Sequence, residues 1–487
     1  MPLSAIVAKR ALRQIRSTTT NLLFVYTKAR VTITVQPNME ERMTSLWFAQ
    51  ALLPDGWTSQ VRIQIKGGRI KSIEAGVAPT AGDERHATGL PGLPNLHSHA
   101  FQRLMAGLAE TRLGPEADDF WSWRDLMYRL VGMISPEDMT AIAAMAFMEM
   151  LEAGFTRVGE FHYLHHQPSG QPYTDPATMA GALAAAAQET GIALTLLPVF
   201  YAHAGFGGQA PHEGQRRFIC DVEGFARLRE ASHRAVSDLP DAVVGIAPHS
   251  LRAVTPGELT ALVALAPKGP IHIHIAEQIR EVDDCLAWSA RRPVEWLMDQ
   301  HAIDERWCLV HATHMNEQEL TRVAKSGAIV GLCPVTEANL GDGIFPAVNF
   351  IGAGGRFGIG SDSNVRINAA EEMRLLEYGQ RLSRRQRTVL AEMGRSNGRM
   401  LFDPMVTGGA IALGVGAGIR IGASADIVAL YTDPLGLADR ALDRWIFGNG
   451  SLESVWRAGR KVVSEGRHHH REAIEHRFND VSRRLVA

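Results

Sequence analysis

Cysteine is scarce in this chain: four residues in 487, at Cys220, Cys285, Cys308 and Cys333. Their spacing fits neither a disulfide framework nor a Cys-x-x-Cys metal motif, so they read as reduced, buried thiols of a cytoplasmic protein. Long apolar runs are missing too, and no stretch approaches the roughly 20 residues that a membrane-spanning helix needs. An excess of one charge is also lacking. Fifty basic and 52 acidic side chains leave a net charge of −2, which argues against a nucleic-acid footprint. No internal repeat or extended low-complexity segment is found.

What is present suffices for a large domain plus a smaller one, with 46% hydrophobic and 21% charged residues. The most informative stretch is Leu93-Pro94-Asn95-Leu96-His97-Ser98-His99-Ala100-Phe101-Gln102-Arg103. Side chains two apart on a strand share a face, about 6.6 Å apart, so His97 and His99 can converge on one metal ion. Matching parts follow: His272-Ile273-His274-Ile275-Ala276-Glu277, Val310-His311-Ala312-Thr313-His314, Ala247-Pro248-His249 and Gly360-Ser361-Asp362-Ser363. Each polar group closes a short apolar run, where a (β/α)8 barrel keeps its chemistry.

Eight such runs predict a barrel of this kind: Gly92–Leu96, Thr156–Phe161, Ala193–Phe200, Val243–His249, Ile271–Glu277, Cys308–His314, Ile329–Pro334 and Phe357–Ser363. Helical segments fill the gaps. Ser135-Pro136-Glu137-Asp138 starts one that runs to about Glu152 and stops at Gly154; others cover Asp175–Thr190, Thr255–Ala266 and Asn316–Lys325. The fold class expected is α/β, a (β/α)8 TIM-like barrel inserted into a small β-sandwich built from both termini. The hairpin pattern of residues 61–73, turning at Gly67-Gly68, and the short strands around 418–422, 425–430 and 455–463 supply the sandwich. The domains are then 43–90 with 407–487 for the sandwich and 91–406 for the barrel.

Residues 1–42 stand outside this plan. Up to Asn38 they carry Lys9, Arg10, Arg13, Arg16, Lys28 and Arg30 and no acid, a composition open to an organellar transit peptide. The reading favoured is a basic extension that is disordered or not translated, with translation beginning near Met43, because Leu46-Trp47-Phe48-Ala49 already reads as the first strand. His468-His469-His470, between two arginines, reads as a solvated surface run.

Together, Pro91–His99, His274-Ile275-Ala276-Glu277, His311 and Ser361-Asp362-Ser363 resemble the amidohydrolase superfamily in its mononuclear deaminase branch. Within that branch the chain is most similar to the formimidoylglutamate deiminases, the N-formimino-L-glutamate iminohydrolases of histidine degradation. That likeness rests on His97–Arg103, Glu160–His166, Ala247–Arg252 and His272–Gln278. It implies one divalent metal ion, zinc or alternatively iron(II), held by His97, His99, His274 and Asp362. A bridging lysine of binuclear relatives has no counterpart at Ala247-Pro248-His249. The resemblance further implies catalytic roles for Glu277, His311 and Asp362. It assigns Gln102, Arg124, Tyr163, His249 and Arg252 to a small dicarboxylate substrate, and a homodimer to the assembly.

The residue types suit that chemistry. Three imidazoles and a carboxylate leave a coordination position for water, a glutamate just beyond a ligand histidine can donate a proton, and guanidinium forks match carboxylates. Two other readings stay open. One is an aminohydrolase of a purine- or pterin-like ring, such as guanine or adenosine, for which aromatic walls and amide donors are expected. The other is a catalytically dead barrel used as a scaffold, which loss of ligand residues would mark. His272, one layer deeper than His274, reads as a core residue, and His162, His165 and His166 as structural or supporting ones.

Overall fold

Eight parallel strands close a barrel: Leu93–Ser98, Phe155–His162, Ala193–Phe200, Val243–Val244 continued by Ala247–Pro248, Ile271–Ile275, Trp307–His311, Ile329–Leu332 and Arg356–Ile359. The computed structural model describes residues 22–27, 30–35, 43–112, 120–431 and 436–486. Nearly every residue of the barrel strands is buried, because helices cover one face and the packed interior the other. Two seams complete the ring. Ile246 bridges Ile271 and Ser250 bridges His274, joining strands four and five, while Ser98 bridges Asp362, joining eight to one.

The strands end earlier than their apolar runs suggest, and the reason is local. Beyond the ladder, Ala276, Ala312 and Asp362 adopt φ of 51°, 51° and 46°, and His311 at the end of its strand adopts 65°. These left-handed turns swing polar side chains over the barrel mouth. The fourth strand breaks where its partner changes: Gly245 donates to Leu196 O of strand three, and Ile246 donates to Pro270 O beside strand five.

Helix starts follow their caps. Ser135 and Asp138 form a reciprocal capping box for Pro136–Glu152, and Thr255 with Glu258 and Asn316 with Glu319 do the same for Pro256–Leu265 and Glu317–Ser326. The helix expected from Asp175 begins instead at Thr178, because Asp175 accepts the amides of Ala177 and Thr178 in a preceding turn. Asn397–Ala412 lies across strands eight and one; a Cβ at Gly408 would stand 1.9 Å from Phe357 O, so only glycine permits this approach.

The second unit is one eight-stranded sheet. Its order is Arg467–His468, Arg460–Ser464, Leu452–Arg457, Ile427–Leu430, Glu84–Pro91, Thr44–Leu53, Gly56–Lys66 and Arg69–Glu74. The two ends of the chain meet where Glu84–Pro91 pairs antiparallel with Ile427–Leu430. The sheet curls back on itself: Ile70 N–H donates to Ala423 O, and Ala425 N–H to Gly68 O. Leu46, Phe48, Ile63, Ile65, Ile427 and Trp456 fill the space so enclosed.

The division at 406/407 falls inside the helix Asn397–Ala412. The last helix, Arg471–Val486, packs on Pro136–Glu152 of the barrel shell. His468 departs from the solvated run expected: it is buried, donates to Thr190 O and accepts from His470 N–H. Within the basic extension, Leu22–Thr27 and Arg30–Val35 pair as an antiparallel ribbon, and the rest of 1–42 lies outside the described residues. All four cysteines are free thiols, three of them buried. Among the described residues no helix is long and apolar enough to cross a membrane.

Candidate metal centre and active site

His97 and His99 leave the first strand side by side, His274 sits near the end of the fifth, and Asp362 lies just beyond the eighth. The ligand atoms of these four buried residues all lie within 4.8 Å of one another. His97 Nε2 is 3.2 Å from His99 Nε2 and 3.1 Å from His274 Nε2. Asp362 Oδ1 is 3.3 Å from His97 Nε2 and 3.2 Å from His99 Nε2. Ligands bound at about 2.0–2.1 Å around a tetrahedral ion stand about 3.3–3.4 Å apart, so the cluster has the span of one ion.

Tautomers agree with that fit. His99 Nδ1 lies 3.0 Å from Phe161 O and His274 Nδ1 3.1 Å from His249 O. Carbonyl oxygens only accept, so each Nδ1 carries the proton and each Nε2 presents a lone pair. Burial pushes His97 down to about 3, keeping it neutral. Burial alone would raise Asp362, but its contacts with His97 and His99 outweigh that and hold the carboxyl well below its usual range.

Asp362 is itself clamped. Asn364 Nδ2 donates to Asp362 O, His99 O and Ser98 Oγ, each at 3.1 Å. Ser361 Oγ donates to Asn364 Oδ1 and accepts from Asn95 Nδ2, both at 2.6 Å. The Gly360 backbone lies so close to His97 that a Cβ would sit 2.7 Å from His97 O and 2.8 Å from its nitrogen.

Beside the cluster, His311 Nε2 stands 3.7 Å from Glu277 Oε1 and 3.8 Å from Asp362 Oδ2. Its Nδ1 faces Glu337 Oε1 at 3.3 Å. Burial would lower His311, yet Glu277, Glu337 and Asp362 outweigh it and raise it to about 10. Burial raises Glu277, against the pull of His311 and Arg252. The neighbouring His314 turns away and bonds Asp342 O at 2.8 Å, so only His311 reaches the site.

The cavity above these groups is lined by all five residues expected to hold substrate: Gln102, Arg124, Tyr163, His249 and Arg252. Gln102 Nε2 donates to Tyr163 Oη at 2.9 Å, and burial keeps the Tyr163 phenol neutral by raising its pKa. Burial likewise lowers His249, holding it uncharged. The remaining walls include Phe120, Trp123, Tyr128, Tyr201 and Phe218. Tyr201 directly follows the third strand, so the strand-end rule that found the histidines also points to it. Glu337, on the helix Pro334–Leu340, and the Asn95–Ser361–Asn364 chain carry no signal at the level of spacing.

Three further histidines bond the backbone of the frame. His272 bonds Ala412 O at 2.7 Å, His165 bonds Val199 O and His166 bonds Ile219 O, both at 2.8 Å.

A parallel barrel with three histidines and an aspartate converging at its strand ends defines a metal-dependent hydrolase. The chain belongs to the amidohydrolase family, whose model matches residues 88–463. Residues 43–87 match a second model, described as "Formimidoylglutamate deiminase HutF, N-terminal domain". Formimidoylglutamate deiminase of Pseudomonas aeruginosa is 48% identical over 454 residues, 91% of this chain and 100% of that protein. An 8-oxoguanine deaminase of the same organism is 28% identical, over 61% of this chain and 65% of its own length. Among solved structures, an amidohydrolase from Brucella melitensis superposes with a TM-score of 0.89 at 55% identity, over 91% of this chain and 100% of that one. An adenosine deaminase from Xanthomonas campestris with bound zinc shares the fold, with a TM-score of 0.74 at 23% identity over 91% of this chain and 98% of its own. The family and the cluster together give this chain a divalent-metal site.

Proposed function

We propose that this protein hydrolyses N-formimino-L-glutamate to N-formyl-L-glutamate and ammonia, a step of histidine degradation. The observation that carries the reading is that Arg124, Arg252 and Glu277 line one cavity with His99, His274 and Asp362 of the four-residue cluster. A linear amidine with two carboxylates calls for guanidinium partners at one end and hydrolytic groups at the other. The 48% identity to a formimidoylglutamate deiminase along the whole of that protein supports the same substrate.

A divalent ion at the cluster would supply Lewis acidity that brings the pKa of a bound water toward about 7. Glu277 takes a proton from the attacking water and delivers it to the imine nitrogen of R–NH–CH=NH. His311, charged and fixed between Glu277 and Asp362, stabilises the oxygen added to carbon. Asp362 Oδ2 accepts the hydroxyl proton as the carbonyl forms and passes it to the departing nitrogen, which leaves as ammonia. Arg252 and Arg124 bind the carboxylates, and Tyr163, Gln102 and His249 orient the chain between.

Zinc suits three imidazoles and one carboxylate, and iron(II) or manganese(II) also match this donor set. We take the protein to be a cytoplasmic homodimer, which sizing in solution checks. Aromatic walls at Trp123, Tyr128 and Tyr201 also suit a flat ring, so the ring-deaminase reading rests on a specific observation; the two arginines weigh against it.

The test is ammonia release from N-formimino-L-glutamate by metal-analysed protein, with guanine and adenosine beside it. Turnover of formiminoglutamate alone, abolished by a chelator, is the expected result. Turnover of a ring substrate alone would overturn the substrate and keep the hydrolytic site.

A further inference from the structure

Glu281 is buried to 1% exposure in the first turn of the helix Ile279–Ser289. Its Oε1 accepts the Ala276 amide at 3.1 Å and its Oε2 the Glu277 amide at 3.3 Å. The same Oε2 faces Arg252 Nη2 at 3.8 Å. A carboxylate at this helical position ordinarily reaches back to the amide of the capping residue, here Gln278. Glu281 instead reaches past Gln278 to the two residues that link the His274 strand to the proton-transferring carboxylate. One of them, Ala276, holds a φ of 51°, a conformation alanine adopts only under constraint.

We propose that Glu281 is a positioning residue that fixes Arg252 and Glu277 relative to each other, and so sets the chain length between carboxylate and formimino group that the site turns over. This rests on the reading of Arg252 as the carboxylate partner. Two elements meet at one carboxylate: Arg252 comes from the loop after strand four, Glu277 from the turn after strand five. Arg252 lines the cavity and keeps 14% of its side chain exposed, so a guanidinium held at one edge by Glu281 still presents donors to a ligand. Lengthening or loosening the anchor moves the ligand's carboxylate relative to Glu277, and the reacting carbon moves with it.

The experiment compares wild type, E281Q and E281D on N-formimino-L-glutamate and N-formimino-L-aspartate, which is one methylene shorter. E281Q should lower kcat/KM for formiminoglutamate about a hundredfold, mainly through kcat, as expected of a misplaced reacting group. The preference for formiminoglutamate over formiminoaspartate should shrink about tenfold or more. Combining E281Q with R252M should cost less than the two losses multiplied together. Metal content should stay at the wild-type value.

Amide hydrogen exchange of the segment containing Ala276 and Glu277 supplies a readout independent of any substrate. Faster exchange there in E281Q or E281D, with protection elsewhere kept, is expected. Unchanged exchange in both variants overturns the inference even if formiminoglutamate is not the substrate. Normal turnover by wild type with an undiminished length preference in both variants overturns it while leaving the proposed function standing.

Discussion

His311 presents Nε2 to the site because its Nδ1 is taken by Glu337, whose Oε1 lies 3.3 Å away and is itself held by the Cys333 amide at 2.8 Å. Glu337 is thus an orienting carboxylate, and its charge is one of three that keep the imidazole protonated. Glu337→Gln should cut kcat by about ten- to a hundredfold. With one raising charge removed, His311 loses its proton at lower pH, so the alkaline limb of kcat/KM should move down the pH scale. An alkaline limb that stays in place would show that His311 does not act in its charged form.

Arg252→Met removes the fork while leaving the cluster intact. KM for formiminoglutamate should rise, or kcat/KM fall, by orders of magnitude, with metal content unchanged. Losing a buried charged hydrogen-bond partner costs about 2–5 kcal/mol, which corresponds to roughly thirty- to several thousandfold. Wild-type kinetics would remove Arg252 from the site.

Gly360→Ala places a methyl group against the His97 backbone. Strand eight must then shift from strand one, carrying Asp362 away from His97 and His99. We expect weaker metal retention on dialysis and about a hundredfold loss of kcat/KM. Full metal content with full activity would show that the two strands have slack the packing does not suggest.

Metal removal should lower the thermal midpoint as well as abolish activity, since an ion bound only by the folded chain stabilises it by mass action. Restoring zinc should restore both. In His97→Ala added zinc should leave the midpoint where it was; a normal rise would locate the stabilising ion elsewhere.

The barrel and the four ligands were legible in the sequence because both depend on local pattern. Buried parallel strands read as short apolar runs, and the polar residue closing each run is the one that faces the mouth. Strand ends were not legible, because positive φ at Ala276 and Asp362 leaves no mark on a non-glycine residue. The same holds for Glu337 and Glu281. Both are acids on helices, indistinguishable by spacing from a solvated glutamate, and only the fold brings them beneath His311 and Glu277. His468 was misread because its neighbours in sequence are polar, while the groups it bonds, Thr190 O and the Glu152 carboxylate, are distant in sequence.

The pairing of Glu84–Pro91 with Ile427–Leu430 has a consequence for synthesis. The earlier strand leaves the ribosome more than three hundred residues before its partner exists, which at cellular elongation rates is tens of seconds. Throughout that interval one edge of the strand has no neighbour to satisfy its amides and carbonyls. A premature stop anywhere in the barrel would make that exposure permanent, so nascent or truncated chains of this protein should be captured by chaperones or aggregate through the Glu84–Pro91 edge.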